Sequence, residues 1–329
     1  LKAAVLGLAA AVLFAAAPPP AAAQEKLRPE VASFIDEMVK KHRFERAALA
    51  RLFAQAQPRP SVIRAMSAPG TARPWHEFRA MLIDETRVSG GIEFWRRHAD
   101  TLARASREYG VPEEIIVATI GIETLYGRNT GSFRVLEALI MLAFDYPRRA
   151  ELFRGELEEF LLLARETKLD ALKVRGSYAG AMGIPQFLPS SYRKYAVDFN
   201  GDGSRDLWQE DDAIGSVANY YRAFGWRAGE QIAVRADGGG EAEAVIAAGF
   251  EPHMTVAQMR KRGVVPLAPV PDDALAMLYT VDAGSGPEHW IGLRNFYVIT
   301  RYNRSVNYAM AVRELARELR GRMDAAGVR

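Results

Sequence analysis

No cysteine occurs among the 329 residues, which excludes disulfide staples and also excludes lipid attachment through an N-terminal cysteine. Histidine is scarce, at five residues, and no two histidines share a metal-ligand spacing, so a zinc centre is not indicated. Charge of neither sign is blocked: 43 Lys and Arg stand against 40 Asp and Glu, scattered along the chain, and no nucleic-acid partner is expected from that balance. Long apolar runs are missing too. The one extended stretch, Ala3 to Ala17, is too short to span a bilayer and is broken by Pro18, Pro19 and Pro20. With Lys2 ahead of it and Ala21 and Ala23 just before Gln24, it predicts a cleavable export signal over 1–23. A mature periplasmic protein with no transmembrane segment is expected on that basis.

What is present is a globular composition, 49% hydrophobic and 25% charged, which excludes a largely disordered chain. Helical periodicity dominates residues 29–228. In "RPEVASFIDEMVKKH" the residues Val31, Phe34, Ile35, Met38 and Val39 form one stripe. A second helix is predicted to carry Phe44, Leu49, Leu52 and Phe53. Pro58, Pro60, Pro69 and Pro74 predict an irregular stretch, and a long helix is expected from about Ser89 to Glu108, stopped by Gly110 and Pro112. Past Gly229 the pattern changes. "QIAVRADGGG" and "LAMLYTVDAGSG" read as strands ending in glycine turns, and Thr255 with Gln258 forms a capping box between them. A final amphipathic helix places Tyr308, Val312, Leu315 and Leu319 on one side.

One carboxylate stands out. In "PEEIIVATIGIETLYGRNTG", Glu123 shares a helix face with Ile116, Thr119 and Ile120, where burial would push its pKa up and hold its proton near neutral pH. A carboxylic acid in that state can protonate the leaving oxygen of a glycosidic bond. The alternative is a helix-end glutamate, solvated or paired with Arg128.

"GSYAGAMGIPQFLPSSYRKYA" supplies Gly176, Gly180 and Gly183, where backbone could approach a ligand, then Gln186, an amide that both donates and accepts. Ser190 or Ser191 is expected to cap the helix after Pro189. A tight buried turn is the competing reading of these glycines. Saccharides need amides and aromatic plates together, and Tyr126, Tyr178, Tyr192, Tyr220, Tyr302 and Tyr308, with Asn303, offer them. Tyrosines at helical spacing are more often core.

"DFNGDGSRDLWQEDD" opens like a calcium-binding loop. Asp198, Asn200 and Asp202 take alternate ligand positions, Gly203 gives the turn and Ser204 a backbone carbonyl. The expected closing glutamate is Gln209, and Asp212 is read as closing an enlarged loop. A metal-free Asx turn is the alternative.

Together, "VPEEIIVATIGIETLYGRNTG", "YPRRAELFRGELEEFLLLAR", "GSYAGAMGIPQFLPSSYRKYAVDFNGDGSRDLW", "DAIGSVANYYRAFGW" and "NFYVITRYNRSVNYAMAV" resemble the membrane-bound lytic transglycosylase B family, whose members cleave bacterial peptidoglycan. The resemblance implies a mainly α (α+β) fold. Its parts would be a helical accessory region (24–105), a lysozyme-like core with a structural calcium loop (106–228), a small mixed subdomain (229–287) and the C-terminal part of the core (288–329). It implies Glu123 as sole catalytic acid and base. Ser177, Gln186, Tyr220, Tyr302, Asn303 and Tyr308 would contact saccharide, and Arg148 and Arg149 would lie near peptide or lactyl carboxylates. Peptidoglycan glycan strands would be the partner, with cell-wall synthesis enzymes alongside. A soluble form is expected for want of a lipidated cysteine. The rival readings are a hydrolytic muramidase, a non-catalytic wall-binding protein and a calcium-dependent envelope adaptor.

Overall fold

The computed structural model describes residues 27–67 and 73–327; the export signal expected over 1–23 lies outside them. The chain divides between Ala54 and Gln55 into two compact units. In the first, α1 (Pro29–His42) buries Val31, Phe34, Ile35 and Met38 of the predicted stripe and leaves its fifth member, Val39, half-buried, and the C-cap residue Arg43 turns left-handed. Phe34 meets Phe53 of α2 (Arg46–Gln55) at 6.0 Å between ring centroids. Phe44 precedes that helix instead of lying in it.

The second unit begins with helices where the prolines suggested irregular chain. α3 (Pro60–Ser67) starts on Pro60, and α4 (Trp75–Leu82) has Pro74 at its N-cap. Proline lacks only an N–H that a first turn leaves free anyway, so these residues start helices instead of breaking them. The single long helix expected from Ser89 to Glu108 is two, α5 (Glu85–Arg97) and α6 (Ala99–Tyr109). They break at His98, whose ring packs 4.6 Å from Phe94 and whose Nε2 lies 2.8 Å from Glu210. The sequence-based boundary at residue 105 therefore falls inside a helix.

α7 (Glu113–Thr124) is buried nearly all round, from Ile115 through Gly121 and again at Thr124, as a helix apolar on every face must be. It packs against α5, α6, α11 (Glu210–Ala223) and α15 (Val306–Ala325). After β1 (Phe133–Arg134) come α8 (Val135–Asp145) and α9 (Ala150–Thr167), an antiparallel pair. β2 (Arg175–Gly176) pairs with β1, and α10 (Pro189–Tyr195) packs on α9. Neither Ser190 nor Ser191 caps α10. Pro189 occupies the first turn, and the Ser190 hydroxyl instead donates to Glu156 at 2.7 Å.

The mixed region forms a five-stranded antiparallel sheet in the order β4-β6-β7-β3-β5. Its elements are β3 (Ala233–Gly238), α12 (Ala242–Ala247), β4 (Met254–Thr255), α13 (Val256–Lys261), β5 (Val264–Pro266), β6 (Leu275–Asp282) and β7 (Pro287–Gly292). The Thr255–Gln258 capping box is present as predicted. Both faces of the sheet are covered. Val234, Ala276, Leu278 and Ile291 join Val245, Val256 and Met259 in one core. Tyr279, one residue out of phase, stacks on Phe296 of α14 (Arg294–Thr300) at 4.5 Å, as the two-residue period of a strand requires. β7, the centre of the sheet, extends the region to Gly292, beyond the boundary expected at 287. No described helix is long and apolar enough to cross a membrane.

Candidate active site

Glu123 lies in the last turn of α7, and the chain just past the helix end fixes its position. Leu125, Tyr126 and Gly127 are three consecutive residues with positive φ, 51°, 61° and 83°, a costly backbone for the two that are not glycine. Three bonds compensate. The Thr124 hydroxyl donates to the Ile184 carbonyl at 2.9 Å and accepts from the Gly127 N–H at 3.0 Å. The Tyr126 hydroxyl donates to the Arg87 carbonyl at 2.8 Å. The end of α7 is thereby tied to both the glycine loop and α5.

Gly121 is what lets Tyr126 fold back over the helix, since a Cβ there would stand 2.5 Å from the tyrosine oxygen. Alanine normally stabilises a helix interior by about 1 kcal/mol over glycine. At this position we expect Gly121→Ala to destabilise by about 1–3 kcal/mol through overpacking, read by urea denaturation. Tyr126→Ala in the same chain, which removes the whole ring that the new Cβ meets, should cost less in Gly121→Ala than in the wild type; additive losses would show that the contact is not the cause.

Glu123 as a residue is half-buried, and protein crowds around its carboxyl. Its hydrogen-bond partner is Tyr308 of α15, whose hydroxyl donates at 2.6 Å. Desolvation pushes its pKa from 4.5 to about 7, and the Tyr308 bond opposes that rise. The negative end of the helix dipole adds to the discomfort of an anion at this position. No second carboxylate contributes to the shift. Glu113 accepts from the Trp95 indole at 2.7 Å and Glu114 pairs with Arg320 at 2.7 Å, both at the far end of α7. Arg128 reaches toward Glu93 at 3.8 Å, so it is not the partner of Glu123.

Around this acid stands an aromatic wall. Tyr302 lies near-parallel to Tyr308 at 6.3 Å and packs on Phe187 at 5.7 Å and Tyr220 at 4.8 Å. Burial and the nearby Glu123 charge raise Tyr302 and Tyr308 well above the usual phenol range, so both remain donors. Their hydroxyls are mostly committed to protein: Tyr302 donates to the Pro185 carbonyl at 2.6 Å and Tyr220 to the Arg301 carbonyl at 2.6 Å. Of the six tyrosines singled out, Tyr126, Tyr192, Tyr220 and Tyr308 are all buried, Tyr192 donating to the Arg205 carbonyl at 2.6 Å. Tyr178 is exposed, edge-on to Phe133.

Gln186 is held left-handed, φ 52°, with its amide N–H donating to the Thr130 and Gly183 carbonyls at 3.1 and 2.9 Å. Its carboxamide oxygen is left to accept. The Ser177 hydroxyl accepts from the Ala179 and Ala181 N–H groups at 3.3 and 3.1 Å. Asn303 is exposed beside Tyr302. Arg148 and Arg149 lie exposed on a short 3₁₀ turn, Arg149 over the Phe153 ring, and neither touches Glu123. The loop glycines serve the protein itself: a Cβ at Gly176 would strike the Ala181 carbonyl, at Gly180 the Leu139 side chain and at Gly183 Leu207. The tight buried turn is thus the reading that holds for them. Tyr221 was not singled out by sequence. It is fully buried and bonds Thr119 of α7 at 2.8 Å, and its only signal was the pair "YY" in a helix.

A cavity of about 900 Å³ opens beside this region, lined among others by Arg97, His98, Arg128, Gln209, Glu210 and Asp211. Glu123 is not part of its lining, so the acid and not the larger hollow marks the chemistry.

In the loop at 198–209, Asp198 accepts from the N–H groups of Gly201, Asp202 and Gly203 at 2.7, 3.1 and 2.8 Å. Asn200, Asp202 and Gln209 converge through their side chains at 3.0–3.2 Å. Ser204 donates its N–H to Asp202 at 2.8 Å. Asp212 does something else. It is fully buried and accepts from the backbone N–H groups of Phe199, Asn200 and Asp206 at 2.7, 3.2 and 2.7 Å. Asp212, expected to close the loop, thus spends its oxygens on the loop's backbone N–H groups, while the Gln209 side chain is the one that meets Asn200 and Asp202. The donor set is all oxygen with two carboxylates, which suits a hard cation such as calcium.

The chain matches the family model described as "Transglycosylase SLT domain" over residues 26–317. It is 48% identical over 297 residues to the membrane-bound lytic murein transglycosylase B of Escherichia coli (strain K12), a match covering 87% of this chain and 81% of that one. The Escherichia coli lytic transglycosylase Slt35 in complex with calcium superimposes with a TM-score of 0.79 at 47% identity, covering 88% of this chain and 92% of that chain. SltB3 from Pseudomonas aeruginosa in complex with NAG-anhNAM-pentapeptide gives 0.76 at 32% identity, covering 89% and 79%. With Glu123 set beside an aromatic wall, the match over residues 26–317 and the 48% identity to the Escherichia coli enzyme place the protein in the SLT-domain transglycosylase family.

Proposed function

We propose that the protein is a lytic transglycosylase that cleaves the β-1,4 bond between N-acetylmuramic acid and N-acetylglucosamine in peptidoglycan and leaves 1,6-anhydro ends. The observation carrying this reading is the solitary acid: desolvation raises the Glu123 pKa to about 7, and among the described residues no second carboxylate contributes to that shift. A hydrolase of either ordinary stereochemistry needs a pair. Glu123 gives its proton to the glycosidic oxygen as the C1–O bond breaks, and the substrate's own N-acetyl oxygen stabilises the cationic carbon. The sugar's C6 hydroxyl then attacks C1 and returns its proton to Glu123, so the acid is restored and no water is consumed. The anhydro sugar bound by the SltB3 relative supports the same outcome.

In this reading Tyr302 and the edge of the buried Tyr220 contact the sugar. Ser177, Asn303 and the free oxygen of Gln186 meet its hydroxyls and amides, Tyr308 positions the acid, and Arg148 and Arg149 attract stem-peptide or lactyl carboxylates. The export signal would deliver the protein to the periplasm, where its partners would be glycan strands and the enzymes that build them. Digestion of purified sacculi followed by mass spectrometry tests the reaction type. Anhydro-ended fragments, lighter by one water, are expected; hydrated ends alone would make the protein a muramidase.

Asp198, Asn200, Asp202, Gln209 and the Ser204 carbonyl would hold calcium, with Asp212 as the inner staple. The calcium complex of the Slt35 relative supports this. The ion would stiffen the loop without entering the reaction. At a hundredfold excess over its Kd, calcium should stabilise chelated protein by about 2.7 kcal/mol, measured as a rise in Tm. Asp202→Asn should remove most of that gain; an equal rise in the variant would put the ion elsewhere.

A further inference from the structure

Thr124 is the last residue of α7 and is only 1% exposed. A threonine buried in a helix commonly returns its hydroxyl hydrogen to the carbonyl four residues back, as Thr119 does to Ile115 at 2.8 Å. Thr124 reaches out of its helix instead. The Ile120 carbonyl lies at 3.4 Å, whereas the Ile184 carbonyl of the glycine loop lies at 2.9 Å. The hydroxyl has one hydrogen, which goes to the nearer acceptor, and a lone pair takes the Gly127 N–H at 3.0 Å. Both bonds need a hydroxyl at this position, and no apolar side chain can supply either.

The receiving end is a tight turn. Met182 and Phe187 pair antiparallel, and the Gln186 N–H donates to the Gly183 carbonyl at 3.2 Å. That bond engages only the Gly183 carbonyl and leaves those of the two central residues, Ile184 and Pro185, to find donors elsewhere. Both residues are buried, so water is not the default partner. Two hydroxyls serve them: Thr124, next to the acid, meets Ile184, and Tyr302 of the aromatic wall meets Pro185 at 2.6 Å. Gln186 follows directly, its carboxamide held by the Thr130 and Gly183 carbonyls. The acid, the wall and the loop amide are thus gauged against one short segment, and the link from α7 runs through the Thr124 hydroxyl.

We propose that Thr124 is a positioning residue for the reaction, its hydroxyl setting the register of Glu123 against Gln186 and Tyr302. The inference rests on the proposed function, because it takes Glu123 as the proton donor. Without the hydroxyl, the left-handed run at Leu125, Tyr126 and Gly127 loses one of its supports, and the acid shifts relative to a sugar that the loop still holds. Proton transfer to the glycosidic oxygen depends on that distance, and a displacement of about 1 Å can cost roughly 10²-fold. The loop's own bonds, Gln186 to Thr130 and Gly183 and Tyr302 to Pro185, do not pass through Thr124, so sugar binding is spared.

Steady-state cleavage of a soluble peptidoglycan fragment by the full chain, well below the Tm of each protein, provides the test. Thr124→Val, close in shape, should lower kcat by about 10²-fold and move KM by less than about threefold. Thr124→Ser, which keeps the oxygen, should bring kcat back to within about fivefold of wild type. A hydroxyl that only stabilises the fold would lower Tm in Thr124→Val and leave kcat at the wild-type value, and that result would overturn the proposal. So would a raised KM at unchanged kcat, which would assign the residue to sugar binding, or a serine variant as slow as the valine one. Should Thr124→Val fold poorly, Thr124→Ala, with no branched carbon to place, enters the same comparison with the same outcomes. Lysis retained by Glu123→Gln would sink the proposed function and this inference together, whereas a Thr124→Val enzyme as fast as wild type sinks the inference alone.

Discussion

Replacing Glu123 with glutamine should reduce release of muropeptides from sacculi by at least about 10³-fold, because both proton transfers run through this one side chain and each is worth roughly 10²–10⁴. Glutamine keeps the shape and can still accept from Tyr308, so folding and sacculus binding should persist. A wall-binding protein without catalysis predicts no change in lysis, and measurable residual lysis of even a tenth would remove Glu123 from its role. The wild-type pH profile gives an independent check. Cleavage begins from the protonated acid, so kcat/KM should fall on the alkaline side with an apparent pKa near 7. An alkaline limb that persists unchanged in Glu123→Gln would belong to another group.

The same substitution should make the protein more stable, and only above about pH 4.5. The folded-state pKa of Glu123, about 7, exceeds its reference value of 4.5, so the folded chain binds the proton more tightly than the unfolded one. The stability tied to that proton is complete below pH 4.5, declines as pH rises through 7 and is gone above it. Two and a half pKa units correspond to roughly 3 kcal/mol. Glutamine carries no such linkage. Urea denaturation of both proteins across pH 4 to 9 should therefore give curves that separate above pH 4.5, with the variant higher by up to roughly 3 kcal/mol at pH 8. Parallel curves would mean that the carboxyl is better solvated than the structure shows. Activity and stability are in tension at this residue: the desolvation that makes it an acid is a cost to the fold.

Much of this was legible from residue order. The apolar run through Ile115–Ile120 announces a buried helix, and its spacing turns Glu123 inward; the strands and the Thr255 capping box came from local chemistry. Other features could not be read locally. Whether Gly176 or Gly183 faces ligand or protein depends on Ala181 and Leu207, which only the folded chain brings against them. Asp212 looks like a ligand by spacing, and its burial beneath Phe199 and Asp206 gives it backbone donors instead. His98 interrupts a pattern that is helical throughout, because its partner, Glu210, is more than a hundred residues away. β7 lay hidden in "PEHWIG", whose place at the sheet centre is set by β3 and β6 on either side. In each case the deciding contact spans a long stretch of sequence, where periodicity carries no information.

The bond between Tyr308 and Glu123 joins residues 185 positions apart, and α15 packs along the helix that bears the acid. A ribosome emits the N-terminal portion first, at about 5–20 residues per second, so the nascent chain carries its acid for many seconds without the helix that shields it. Until that last helix arrives, Glu123 is bathed in water and ionises as an ordinary carboxylate. In a protein built this way the acid gains its raised pKa only once α15 has docked against α7.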